Sequence, residues 1–502
     1  MEWHGSLWFC YFKKCLFFVV LLNSVFAKGD YLMKAHIFKM PDFVEPSSVT
    51  TAGHYILAYH IVRSLTKLDK YGKIQSDIAI KWHNSDDRRT WTLTIGKSQF
   101  SNGEFITATD VAETIKRQVK FGSGVHFNFK EIKGVKVQGS DSVIIELENP
   151  RNDFIYDLSK PEFGVLYKND YKSEKNAAKF EISSGAYALQ SHSGHHYKLK
   201  RNQYFLNDIG NKFDLEISDS EGDASYKALK NGEIDFFTSQ QNLTFALHEE
   251  ALKNGKIKAV KPHIGFSFWL AVNPHSTYFR GTQNRATFQS YVKAFTSSEF
   301  REHTWEKAAQ LYLPDGDGRP SESDLAEVWK KIEDQAKSNA SVVGTKEKLR
   351  VLPLKMTNSL LDSLLKYLSR KYDVEVVPYS SEDQLQSIIK SGAFELKISS
   401  NDFSSTDLSE NLKTTFNASR PYVFLDSKSP VHELMKEVIH TDDPKVKAES
   451  YKKIALSLLS TGLIAPVGYQ RIWFYHNNNL DISSWSNLYP EISFWKVKVN
   501  DH

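Results

Sequence analysis

Three imidazoles crowd one short stretch, "SHSGHHY" (191–197), at His192, His195 and His196. Imidazole nitrogen is the donor that zinc or nickel favours. Adjacent carboxylates occur at Asp86-Asp87 and Asp442-Asp443, the residue type that general acid–base chemistry needs. Neither group survives inspection of its setting. The histidines lie between "GAY" (185–187) and "KLKRN" (198–202), a pattern that reads as two strands and puts them at an exposed hairpin tip. The carboxylate pairs fall in turn or helix-cap contexts. No G-x-S-x-G, phosphate-loop or zinc-protease phrase occurs. The sequence therefore calls for no catalytic site, no metal and no cofactor.

Both thiols, Cys10 and Cys15, belong to the first 27 residues. There Lys13 and Lys14 precede an apolar run, Leu16 to Leu22, followed by "NSVFA" with small residues at Val25 and Ala27. That is the layout of a cleaved secretory signal peptide. The run is short of the roughly 20 apolar residues that span a bilayer. An uncleaved anchor is the alternative. No cysteine stands at the cleavage position, so the expected product is exported, free of thiols and without a lipid anchor. The 502 residues carry 64 basic and 60 acidic side chains, a net charge of +4 with no long basic run. This speaks against nucleic acid as the main partner and for a soluble globular chain, long enough for two or three domains.

The elements that could position a site are most readable at 90–118. Trp91, Leu93 and Ile95 alternate with Thr92 and Thr94, the period of a half-buried strand. Asn102-Gly103 supplies the positive φ angles of a tight turn. Thr107 is placed to cap a helix, with Asp110 three residues on. Ala108, Val111, Ala112, Ile115 and Val119 follow at helical spacing as one inward face. "KLRVLPLKMTNSLLDSLLKYLSRKYDVEVVPYSS" (348–381) reads as strand, helix, strand.

The phrases themselves resemble a known family. Gly72, Ala79, Trp82, Ser85 and Asp87, then Phe100, Gly103, Thr107, Ala108, Asp110 and Val111, keep the order and spacing of the signature of extracellular solute-binding proteins of family 5. Periplasmic oligopeptide- and dipeptide-binding proteins belong to that family. "EPSSVTTAGHYILAYHIVRSL" (45–65), "ISSGAYALQS" (182–191), "ASYKALKNGEIDFF" (224–237) and "TDDPKVKAESYKKIALSLLSTGLIAPVGYQ" (441–470) resemble its later segments. The likeness is weakest at 275–345.

The resemblance implies an α/β, two-lobed periplasmic-binding-protein (Venus-flytrap) fold with an additional inserted subdomain. Carried over, the first lobe comprises 28–68, 181–265 and 470–502, the inserted subdomain 69–180, and the second lobe 266–469. It implies ligand contacts at Asp402 and Phe403, in place of the family's aspartate-tyrosine phrase, where the acid holds a peptide amine. A tryptophan of some members is Ser399 here, and an aspartate-proline is Ser405-Thr406, with Asp407 nearby. Softer candidates are Thr50, Thr51 and Ala52 in the first-lobe loop, His126 and Phe127 in a loop of the inserted subdomain, and Tyr469 after a crossing strand. Each of these also reads as ordinary packing, and Asp402 as a turn or cap residue.

Two lobes on a hinge can engulf a solute and release it, which is capture without chemistry. "GFSFWLAVN" (265–273) and "LIAPVGYQ" (463–470) are the hinge candidates and read equally as core strands. The function so implied is an exported, monomeric, periplasmic protein that delivers a peptide or peptide-like solute to the permease subunits of an ABC importer. The alternative keeps the fold but signals closure to a membrane sensor. A secreted hydrolase is the third reading, and nothing in the residues argues for it.

Overall fold

The computed structural model describes residues 31–49, 51–69, 73–122, 127–206, 210, 213–239, 243–260, 265–296, 300, 305–312, 318–338, 346–354, 359–401, 411–412, 415–416, 421–441, 443–485 and 492–500. The alternating stretch becomes the strand Thr90–Ile95, with Trp91, Leu93 and Ile95 buried. It lies in a four-stranded antiparallel sheet ordered Ala79–Asn84, Thr90–Ile95, Ser142–Leu147, Ile132–Gln138. The helix Ala108–Phe121 packs its apolar face into the same core. Thr107 and Asp110 form a full capping box: the Asp110 amide donates to Thr107 Oγ1 at 3.2 Å, and the Thr107 amide to Asp110 Oδ2 at 2.9 Å.

Two details of this unit depart from the sequence reading. Only Gly103 takes a positive φ, +86°, while Asn102 uses its side chain to accept the Glu104 amide at 3.0 Å. The loop is one residue longer than a two-residue turn, closing Phe100 to both Gly103 and Glu104. Val119 is 38% exposed, and the polar Arg117 and Gln118 are buried in its stead.

A seven-stranded sheet runs Ile257–Val260, Phe474–Asn477, Phe236–Thr238, Leu32–His36, Asp214–Ser218, His196–Arg201, Tyr187–Ser193. Leu32–His36 pairs in parallel with both neighbours, and the outer pairs are antiparallel. A six-stranded sheet runs Trp305–Lys307, Ile464–Arg471, Gly265–Val272, Leu396–Asn401, Lys348–Leu352, Asp373–Val376. The strand–helix–strand expected at 348–381 is present, with Lys348–Leu352 and Asp373–Val376 parallel around the helix Ser359–Leu368. Phe268, Leu270 and Val272 enter the core on one face of this sheet, and Trp269 and Ala271 the core on the other. Burial on both faces is why the sequence there is apolar without alternation.

The chain passes between the two larger sheets twice. It leaves the seven-stranded sheet after Val260 and enters the other at Gly265, and it returns from Arg471 to Phe474. Among the described residues, no helix is long and apolar enough to cross a membrane.

Candidate functional site

The two crossing strands are neighbours. Gly265–Val272 pairs antiparallel with Ile464–Arg471, with a register shift between Phe268 and Trp269. They are the segments expected to form the hinge. Asn401, Ser267, Tyr469 and Glu306 stand side by side in one row across four strands. Tyr469 is buried, and its Oη donates to the Gln310 carbonyl at 3.1 Å. Burial pushes its phenol well above the usual range. The Ser267 hydroxyl donates to the Leu311 carbonyl. These two bonds fasten residues 308–312 along the crossing strands. Arg471 closes the row's far end on Glu306, with two contacts of 3.3 Å.

Leu396–Asn401 ends in this row, where Asn401 is buried and its Nδ2 donates to Thr415 Oγ1 at 3.2 Å. The next residues, Asp402 and Phe403, lie outside the described residues, as do Asp407, Thr50 and His126. The strand that leads to the expected amine anchor therefore terminates beside the crossing.

On the seven-stranded side, the loop before the helix Ala52–Ile61 is held from several directions. Thr51 is exposed and caps the helix, its Oγ1 accepting the His54 amide at 3.3 Å. Ala52 is half-buried against the core of this sheet. Gly53 fits because a Cβ there would lie 2.2 Å from the Lys39 carbonyl oxygen. His54 Nε2 accepts the Glu45 amide at 3.2 Å. The Glu45 carboxylate is buried and receives Arg117, Ser47 and the Asn176 amide. Burial alone would raise this carboxyl, but the Arg117 hydrogen bonds and charge, helped by Ser47 and Asn176, bring it down to about 2.

Phe127 is buried in an aromatic cluster with Phe129, Phe154 and Phe163, at centroid distances of 5.0 to 5.8 Å. Its ring is engaged in packing of the four-stranded unit. The histidine cluster disperses across its hairpin, whose turn is at Gly194. His192 stacks on Tyr197, His195 bridges Asp219 at 2.7 Å and Asp42 at 3.0 Å, and His196 meets Glu216 at 2.7 Å. Among the described residues, no group of three or more histidines, cysteines or carboxylates could hold a metal. The anchors Glu45, Arg117, Ser267 and Arg471 were not singled out from the sequence. Glu45 stands just before Pro46 in the quoted family segment, and that was the one available signal.

Residues 73–301 match the model of the bacterial extracellular solute-binding proteins, family 5 Middle. This part of the chain is similar to solute-binding protein family 5. Its relatives include the periplasmic oligopeptide-binding protein OppA of Haemophilus influenzae, 29% identical over 133 residues, which cover 26% of this chain and 22% of that protein. The chain thus aligns with only about a quarter of the length of the curated relatives it matches. Among solved structures, the periplasmic binding protein DppA of Helicobacter pylori in complex with the peptide STSA superposes with a TM-score of 0.73 at 17% identity, covering 94% of this chain and 98% of that one. NikA of Brucella suis in complex with Fe(III)-EDTA gives the same TM-score, 0.73, at 16% identity, covering 93% and 100%. Likeness at this identity carries the fold: the chain has the two-lobed α/β architecture of these structures. The family matched at 73–301 is, by its description, one of extracellular solute-binding proteins.

Proposed function

We propose that this protein is a member of solute-binding protein family 5, an exported receptor that captures a peptide or peptide-like solute between its lobes and hands it to the permease subunits of an ABC importer. The observation that supports this most directly is the pair of adjacent crossing strands, Gly265–Val272 and Ile464–Arg471, as the link between two separate sheets. Two neighbouring connections let the halves rotate about one line while each keeps its own core. We assign the lobes as 28–68, 181–265 and 470–502 against 266–469, with 69–180 as the inserted subdomain. In this reading the protein acts as a periplasmic monomer after removal of residues 1–27.

Asp402 is the proposed amine anchor, followed by Phe403, with Thr50, Thr51, Ala52 and His126 as further contacts. Phe127 and Tyr469 enter the proposal as supports, since both are buried in packing or hydrogen bonding. A non-peptide solute is the second reading. It is favoured by the equal TM-scores, 0.73, of neighbours holding a peptide and Fe(III)-EDTA.

The test is mass spectrometry of small molecules retained through native purification, joined to small-angle scattering with and without the molecule found. A retained peptide that compacts the protein supports the first reading, and a retained metal complex or other non-peptide solute supports the second. A chain that retains nothing, shows no thermal shift with a peptide library and never compacts would overturn both. Asp402→Ala should weaken peptide binding at least tenfold, the loss expected for a charge-assisted hydrogen bond.

A further inference from the structure

His195 makes two contacts that a neutral imidazole cannot satisfy together. Its Nδ1 lies 2.7 Å from Asp219 Oδ2, and its Nε2 lies 3.0 Å from Asp42 Oδ1. A neutral ring has one N–H and one lone pair, and an ionised carboxylate only accepts. Between two carboxylates, the imidazolium alone donates to both. The two acids are held with unequal firmness. Asp219 also accepts the Met40 amide through Oδ1 at 2.6 Å, and its side chain is 29% exposed; that of Asp42 is 80% exposed. A ring that loses its proton therefore keeps Asp219 and gives up Asp42 to water. The loop concerned needs its bonds, because Phe38 at its start has a φ of +36°, a region that disfavours bulky side chains.

We propose that His195 is a proton-dependent latch: the charged ring ties the loop 39–44 to the hairpin tip, and deprotonation frees Asp42. The Asp219 hydrogen bond and charge, then those of Asp42, outweigh the ring's slight burial and raise it above its ordinary 6.5. The latch is thus closed below pH 6.5 and opens as pH rises through the raised value. The neighbouring groups do not share this behaviour. His196, on the same hairpin, meets Glu216, and Lys39 on the loop is exposed. Burial lowers His36, against the charges of Glu221, Asp219 and Glu216, so it stays neutral while His195 is charged. Tyr197 donates to the Pro41 carbonyl at 2.6 Å, and burial, with Asp42 and Asp219, pushes its phenol up to about 12. The loop backs the helix Ala52–Ile61: the Lys39 carbonyl adjoins Gly53, and Phe43 stands edge-on to His54 at 6.2 Å. Where residues 50–52 contact solute, affinity should fall as the latch opens; that consequence rests on the proposed function, and the latch itself does not.

The test uses the full chain without solute, so its failure is distinct from failure of the solute-binding reading. NMR titration of histidine-labelled protein, with the His195 signal assigned by its loss in His195→Gln, should place this ring above 6.5. Hydrogen exchange, corrected for the intrinsic effect of pH, should quicken several-fold in peptides covering 39–44 as that ring deprotonates. Asp42→Asn puts an amide that can donate to the neutral ring where the carboxylate stood. In this variant the His195 value should drop towards 6.5, and exchange at 39–44 should lose its pH dependence. His195→Gln, which never carries the charge, should show the fast exchange at every pH. A His195 ring that titrates at or below 6.5 would overturn the proposal. So would corrected exchange at 39–44 that stays constant through the titration, or a pH step that survives in His195→Gln.

Discussion

The carboxylate of Glu45 takes both terminal nitrogens of Arg117, each at 2.9 Å, with the two side chains 0% and 2% exposed. The pair joins the loop ahead of the helix Ala52–Ile61 to the inner face of the helix Ala108–Phe121, 72 residues away. Breaking a buried pair strands the remaining charge, and Arg117→Met should destabilise the fold by about 3–5 kcal/mol. The double variant Glu45→Gln/Arg117→Met should lose less than the two single losses added, because no charge is left behind. Denaturant unfolding of the four proteins measures this. The Glu45 carboxyl, at about 2 when folded against 4.5, adds a pH dependence. Its contribution is full above pH 4.5 and disappears as pH falls towards 2.

His60 predicts a second acid-sensitive window at higher pH. Its Nδ1 donates to the Ile56 carbonyl at 2.7 Å, and its Nε2 accepts the Phe494 amide at 3.3 Å, which fixes a neutral ring inside the core. Burial lowers it from 6.5 to about 4, outweighing the Ile56 bond. The unfolded chain therefore takes up a proton that the folded chain refuses as pH drops below 6.5. Stability should fall across pH 6.5 to 4, by about 3 kcal/mol in total for a shift of this size. In His60→Phe, stability at neutral pH should be lower, but the slope within that window should flatten by about one proton. An unchanged slope would show that other groups govern it.

These two anchors mark the limit of what the residues disclose unaided. Thr107 and Asp110 announce their helix because the cap is local, and Trp91, Leu93 and Ile95 announce their strand for the same reason. Val119 misled because helical spacing assumes that apolar residues face inward. At Arg117 that assumption fails, since Glu45 arrives from a distant segment to neutralise it. The crossing strands were legible as apolar runs, but their pairing with each other was not, being separated by nearly 200 residues. Phe127 and Tyr469 are aromatic in sequence whether they pack or bind, and their burial is visible only in the fold. The histidines at 192–196 looked clustered, yet the hairpin carries each to a different partner.

Gly53→Ala tests how closely the candidate ligand loop is set. A Cβ there would meet the Lys39 carbonyl oxygen at 2.2 Å and its carbon at 2.9 Å, backbone atoms that cannot rotate aside. The loop at 39–40 and the helix start must separate, so Tm should fall, and affinity for the captured solute should fall with it. Gly255→Ala is the control, with nothing within 4 Å of the added carbon. Its effect should stay within about 0.5 kcal/mol, as for surface changes away from special backbone. Equal losses in the two variants would mean that the loop yields freely.

Tyr469 and Ser267 together test whether residues 308–312 are strapped to the crossing by the bonds described. Tyr469→Phe removes the hydroxyl that donates to Gln310, and Ser267→Ala the one that donates to Leu311. Each leaves a carbonyl without that donor, at a loss of about 1–3 kcal/mol. The damage should be local, because Ala308 and Trp329, whose indole donates to the Ala309 carbonyl at 3.0 Å, still hold the segment's start. Hydrogen exchange followed by mass spectrometry should show faster exchange in peptides covering 305–312 and 464–471 in the double variant. Peptides covering Leu32–His36 should keep their protection. Loss of protection throughout would mean that these hydroxyls support the whole fold. Unchanged exchange at 305–312 would mean that the strap is held by packing alone.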